Sequence, residues 1–148
     1  MQRANYFDHT PELMQHLMRQ ETLLHHHAEA TVGITILELI KLRASQLNQC
    51  AFCIAMHTHQ ARMNGIRDIH IIALSAWQDT SLYNHKERAA LQLCERLTLG
   101  KTIDDTLYQQ LSAEFDEDAL VTLTIAINAI NSWNRMVKMF KPEVVFNE

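Results

Sequence analysis

An all-α domain is the fold class this sequence predicts, on three observations. The chain has only three glycines and two prolines among its 148 residues, and a protein of many tight β-turns needs more of both. Apolar residues recur at helical spacing through several windows, and those windows are bracketed by capping residues. No segment makes a convincing strand. The expectation is a single-domain helical bundle of about six to seven helices spanning residues 1–148.

Thr10-Pro11-Glu12 opens the first helix with an N-cap candidate, a proline at the first helical position and an early acid. Leu13, Leu17, Leu23 and Leu24 then form a loose stripe to about residue 27. The second segment, 32–47, is apolar on most faces, with Ile34, Ile36, Leu37, Leu39, Ile40 and Leu42. Its β-branched start allows a strand for a few residues, but its length and its Lys41 to Gln46 continuation favour a buried helix. A third helix starts at Cys50 or Ala51 and runs to about residue 64, with Gly65 as its stop. A short helix follows over 67–77, then a connection over 78–83. Asn84-His85-Lys86-Glu87 reads as a capping box for the next helix, which ends at Gly100. Residues 104–115 form another. Asp116 caps a long last helix to about residue 140, and Pro142 ends it. No linker rich in Gly, Pro or Ser and no internal repeat divides the chain.

Composition narrows the function classes. With 47% apolar and 20% charged residues the chain is globular rather than disordered, and it is long enough for a core of its own. A net charge of −4 and a pI near 6.1 exclude the basic field that nucleic-acid binding needs. The polar residues 1–8 show no signal peptide. The longest apolar stretch, 119–130, contains Thr122, Thr124 and Asn128 and is too short to span a bilayer. The expectations are a cytoplasmic location and no membrane or nucleic-acid partner. Three cysteines are an odd number, which is no disulfide framework. In a reducing compartment a close cysteine pair is more often catalytic or metal-binding than structural.

Cys50 and Cys53 form that close pair, His57 follows, and Glu38 lies upstream between Leu37 and Leu39. Cys50 at the mouth of the third helix meets free backbone N–H groups and the positive end of the helix dipole, which favour a thiolate. Cys50, Cys53 and His57 are spaced i, i+3, i+7, one face of one helix, so His57 can take the Cys53 proton. A carboxylate is rarely buried without a partner. If His57 is the partner, Glu38 orients the ring and stabilises the imidazolium. The resulting carboxylate–imidazole–thiol relay suits attack on a peroxide, a sulfenic acid, a disulfide and reopening by an external thiol.

Zinc is the main competing reading, with Cys50, Cys53, His57 and Glu38 as ligands. Geometry weakens it, because Cys50 and His57 are separated by roughly 10 Å of helix rise, and no second ligand pair follows; no metal and no organic cofactor is expected. Packing is the other competitor. Taken singly, a cysteine is usually core, and Cys94, on the stripe of Leu91, Leu93 and Leu97, reads that way. His25, His26 and His27 point to different faces and read as a solvated helix end. His59 reads as surface, Trp77 and Trp133 as core, and Met136 and Met139 as filling helix–helix gaps or a subunit interface. The acidic run from Glu114 to Asp118 reads as a helix start.

The string ELIKLRASQLNQCAFC at 38–53, followed by His57, resembles the alkylhydroperoxidase D-like core of the carboxymuconolactone decarboxylase family. ALSAW at 73–77, KERAAL at 86–91 and NSWNR at 131–135 also look like segments of single-domain members, so the likeness covers nearly the whole chain. The resemblance implies an all-helical fold, assembly into trimers or hexamers, and an antioxidant thiol peroxidase acting on a small hydroperoxide. It implies that Cys53 becomes the sulfenic acid, that Cys50 is proton donor and resolving cysteine, and that His57 and Glu38 form the relay. A thioredoxin-like protein or a dihydrolipoyl group would be the reductant. In the best-known peroxidase of the family a histidine precedes the second cysteine; here Phe52 stands there and makes the pocket more apolar. Decarboxylase members lack the cysteine pair. Two alternatives stay open: a cofactor-free decarboxylase-like enzyme using Glu38 and His57 as base and acid on a small carboxylic acid, and a non-enzymatic thiol-redox or metal-binding assembly module.

Overall fold

The computed structural model describes residues 1–144; the last four residues of the expected 1–148 domain lie outside the described residues. Among the described residues there are seven α-helices and no strand: α1 (Pro11–Thr31), α2 (Ile34–Leu47), α3 (Ala51–Met63), α4 (Asp68–Ile72), α5 (His85–Thr98), α6 (Asp105–Glu114) and α7 (Glu117–Phe140). Two 3₁₀ turns cover Tyr6–Asp8 and Ala73–Asp79. The all-α expectation and the order of the helices are met. No helix is long and apolar enough to cross a membrane among the described residues.

Helix α2 is the centre of the bundle and packs against α1, α3, α5 and α7. A helix that is apolar on most of its circumference is stable only when surrounded. Each fully buried Leu or Ile contributes about 1.5–3 kcal/mol, far more than the few tenths by which β-branching disfavours a helix, so the Ile34–Ile36 start does not become a strand. On one side of α2, Leu37 and Ile40 meet Leu123 and Ile127 of α7 in a core shared with α1, α5 and α6. On the other side, Leu39 and Leu42 meet Leu74, Trp77 and Leu91. Between these two apolar faces runs a third, buried and polar: Glu38, Lys41 and Ser45, at i, i+3 and i+7. That stripe is where the candidate site is built.

Local signals explain most helix ends. Asn84 and Glu87 form the full capping box of α5, and the side chains of Asp104 and Asp116 cap α6 and α7. Two boundaries and one cap differ from expectation. Thr10 stands at the α1 N-cap but makes no side-chain cap bond, leaving Pro11 to start the helix. Helix α1 continues a turn beyond residue 27 because Ala28 still packs in the core, so His25–His27 lie inside the helix, with exposed side chains. The expected helix over 67–77 stops at Ile72 and becomes a 3₁₀ turn with a kink at Ala76. That path delivers Trp77 to the core, where its indole N–H donates to Glu95 (2.7 Å).

Candidate active site

Cys50 stands at the N-cap of α3 with extended backbone, as expected, and Cys53 lies in the first turn. The two sulfurs are joined in a disulfide, with Cα atoms 5.3 Å apart. The backbone N–H of Cys53 donates to the Cys50 sulfur (3.4 Å), so a sulfur caps the helix. His57 follows one turn after Cys53 on the same face. From α2, across the helix–helix contact, Glu38 Oε2 approaches His57 Nδ1 at 3.6 Å. The structure therefore brings together all four residues singled out from sequence. It also buries them: Cys50 is 2% exposed, Cys53 1%, Glu38 3% and His57 6%.

The carboxylate and the imidazole face one another without a formed hydrogen bond. At 3.6 Å the pair is within ion-pair range but beyond hydrogen-bond length. Glu38 Oε2 and both ring nitrogens of His57 are buried and find no hydrogen-bond partner among the described residues. Buried polar groups are normally satisfied, and an exception calls for a reason. A carboxylate and an imidazole so placed can pass a proton between them once their separation shortens, as catalytic hydrogen bonds commonly do when substrate binds. Among the described residues no group of three His, Cys, Asp or Glu side chains is disposed to hold a metal ion. Spread along the α3 axis, Cys50 and His57 do not converge on one point.

Sequence reasoning missed the surroundings. The rest of the buried α2 stripe is tied off to other helices. The Lys41 ammonium donates to Glu21 of α1 (3.1 Å), which also accepts the Trp133 indole N–H (3.0 Å). The Ser45 hydroxyl donates to the Lys41 carbonyl (2.7 Å) and accepts from Asn134 of α7 (3.0 Å). Val137 of α7 packs on the two cysteines together with half-buried Phe52. The signal that could have found this face of α7 is Asn131 and Asn134, two polar residues one turn apart on a helix otherwise rich in buried apolar groups. Residues read as bystanders mostly are. His59 is exposed and Trp77 buried, while Trp133 is only half-buried and Met139 is exposed, so Met139 fills no gap within this chain. Cys94 is a free, buried core thiol whose sulfur donates to the Ile40 carbonyl (3.3 Å). Burial pushes that thiol up to about 12, leaving it inert.

A sequence profile of the carboxymuconolactone decarboxylase family matches residues 11–96. The chain is 42% identical over 137 residues to the uncharacterised protein YdfG of Bacillus subtilis, covering 91% of each. It superposes with a TM-score of 0.89 on a crystal structure of a protein of unknown function from Agrobacterium tumefaciens, proposed to be the antioxidant defence protein AhpD. The two are 32% identical, and the match covers 99% of this chain and 100% of that one. The debrominase Bmp8 shares the fold, with a TM-score of 0.81 at 18% identity, covering 91% of this chain and 72% of that one.

Proposed function

We propose a function on the premise these comparisons establish: the chain belongs to the carboxymuconolactone decarboxylase family. Its activity is thiol-dependent reduction of a small alkyl hydroperoxide. The observation that carries this reading is the Cys50–Cys53 disulfide, one turn from a buried imidazole that faces a buried carboxylate.

His57, oriented by Glu38, takes the Cys53 proton. The Cys53 thiolate attacks the terminal peroxide oxygen, and the O–O bond breaks. The departing alkoxide takes the Cys50 proton and leaves as an alcohol. Cys53 is now a sulfenic acid and Cys50 a thiolate. Cys50 attacks the Cys53 sulfur, and the imidazolium returns its proton to the leaving hydroxide, releasing water. Peroxide has been reduced to alcohol and water, and the two thiols oxidised to the disulfide. Two electrons from an external dithiol, a thioredoxin-like protein or a dihydrolipoyl group, restore them. The near-complete burial of both sulfurs favours a small, apolar hydroperoxide, and Phe52 adds to that preference.

The test is thiol counting with intact mass, before and after one equivalent of cumene hydroperoxide on the pre-reduced protein. The expected result is loss of two reactive thiols with a mass decrease of about two daltons, reversed by dithiothreitol. In the Cys50→Ser protein a sulfenic acid, trapped by dimedone, accumulates on Cys53. Unchanged thiols, or full turnover by the Cys53→Ser protein, refute the reading and turn attention to acid–base chemistry by Glu38 and His57.

A further inference from the structure

The turn that carries Cys50 into α3 is gripped from a distant helix. Residues 45–50 leave α2 through Gln49, which adopts a left-handed backbone (φ 53°) that a non-glycine residue does not take without support. Within the turn, the Cys50 N–H donates to the Ser45 carbonyl (3.0 Å). The Gln49 N–H donates to the Gln46 carbonyl (3.1 Å) and the Asn48 N–H to the Ala44 carbonyl (2.9 Å), a local helix C-cap that accommodates the left-handed residue. Side-chain bonds to this turn come from one face of α7. The Asn48 side-chain amide donates to Asn131 and to Asn134, 2.9 Å each. Asn134 in turn donates to the Ser45 hydroxyl (3.0 Å). Lys138 donates to the Asn48 carbonyl (2.8 Å). Asn131 is held by Thr98 of α5 (2.9 Å) and by the carbonyl of Ile127 (2.9 Å).

Asn134 is fully buried and bonds to both ends of the turn, Ser45 at its start and Asn48 two residues before Cys50. Its amide and carbonyl are used in the only senses that satisfy both partners, since the hydroxyl of Ser45 already donates to the Lys41 carbonyl. Connected hydrogen-bond networks of this kind, anchored here on the buried Ser45, Asn131 and Asn134, rigidify what they touch. What they touch here is the backbone that sets the Cys50 sulfur against the Cys53 N–H.

We infer that Asn134 is a positioning residue that keeps the Cys50 sulfur at the N-cap of α3 and so maintains its thiolate character. The inference rests on the reading of Cys50 as a working thiol, but not on peroxide being what the protein reduces. The helix-end stabilisation of a thiolate falls off within a turn. A turn released from α7 lets the sulfur drift from that position, and the thiol then needs a higher pH to ionise.

The experiment is the pH profile of iodoacetamide alkylation in a Cys53→Ser background, where Cys50 is the thiol that reacts and buried Cys94 is silent. The midpoint reports ionisation and is independent of how often the buried sulfur becomes accessible. Asn134→Leu, similar in size and unable to bond, is expected to raise the midpoint by about half a unit or more. Lys138→Met is expected to raise it by less. Leu123→Ala, a cavity in α7 remote from the turn, lowers stability and leaves the midpoint where it was. An Asn134→Leu midpoint equal to the parent's overturns the inference, and so does an equal shift in Leu123→Ala, which would mark the effect as general loosening. If Asn134→Leu does not fold, the exposed Lys138 decides: a parental midpoint in Lys138→Met overturns the inference. Because no peroxide is used, failure of the peroxidase reading and failure of this one are separate results.

Discussion

Replacing Glu38 by glutamine removes one charge and almost no volume from a site where little else can compensate. Its Oε2 lies 3.6 Å from His57 Nδ1 with both groups buried. Unit charges at that distance attract by about 4–5 kcal/mol at an effective dielectric of about 20. That attraction is realised when His57 holds the thiol proton. Part of it is returned, because the neutral side chain no longer bears the desolvation of a buried carboxylate and its carbonyl dipole still faces the ring. About 2–3 kcal/mol should remain as lost transition-state stabilisation, roughly 30- to 150-fold in rate. Stopped-flow oxidation of the pre-reduced protein by cumene hydroperoxide measures it, and urea unfolding serves as the control. Stability should stay within about 1 kcal/mol of the parent, since Glu38 Oε2 makes no hydrogen bond among the described residues. The two groups act as a unit, so Glu38→Gln made on top of His57→Ala should cost little more than His57→Ala alone. A Glu38→Gln protein at the parental rate, or additive losses in the double variant, refutes the relay.

Three further outcomes follow from the frame around the site. The Cys94 thiol, pushed up to about 12 by burial, stays protonated in the folded chain while the unfolded chain ionises near 9, so folding stability falls as pH rises through that window. The parent should lose about 1.4 kcal/mol more than Cys94→Ala between pH 8 and pH 10 by urea unfolding, and equal pH slopes would show that the folded thiol titrates normally. Asn84→Ala removes a capping box in which Asn84 and Glu87 exchange two 2.9 Å bonds, at an expected cost of about 1 kcal/mol in the same assay. Gly33→Ala should cost about 1–3 kcal/mol although a Cβ there meets no atom within 4 Å, because the loss comes from the backbone at φ +95°; no loss would mean that the α1–α2 junction relaxes freely.

The parts of the molecule that were legible in the sequence are those decided by near neighbours. Asn84, Asp104 and Asp116 mark helix starts because each cap bond closes over three residues. Cys50, Cys53 and His57 share a face because helical geometry puts them there. Glu38 was legible for a different reason: a carboxylate inside an apolar helix requires a partner, and His57 was the nearest chemical fit. What was not legible depends on chain segments that meet only after folding. The Asn48–Asn131 contact spans 83 positions, and no local pattern in either segment names the other. The end of α1 is not legible because three consecutive polar histidines mask a turn that Ala28 still holds in the core.

Two different devices act on the two sulfurs, and this dissolves an apparent conflict over which cysteine leads. Elementary electrostatics favours Cys50 as the thiolate, since its sulfur receives an N–H at the end of α3, while family resemblance assigns peroxide attack to Cys53. On the proposed cycle both hold at different moments. Cys53 has a base one turn away and needs it only when peroxide is present. Cys50 must first give a proton to the departing alkoxide and then attack as a thiolate. A helix N-terminus serves both duties, because the interaction that makes a thiol a better acid also holds the resulting anion ready. The proton lent to His57 in the first step is the one that the leaving hydroxide needs in the second. On that cycle the site closes its own proton balance through the sulfur at the helix end and the imidazole that Glu38 faces, and the proposed grip of α7 on the turn before Cys50 then matters as much as the relay itself.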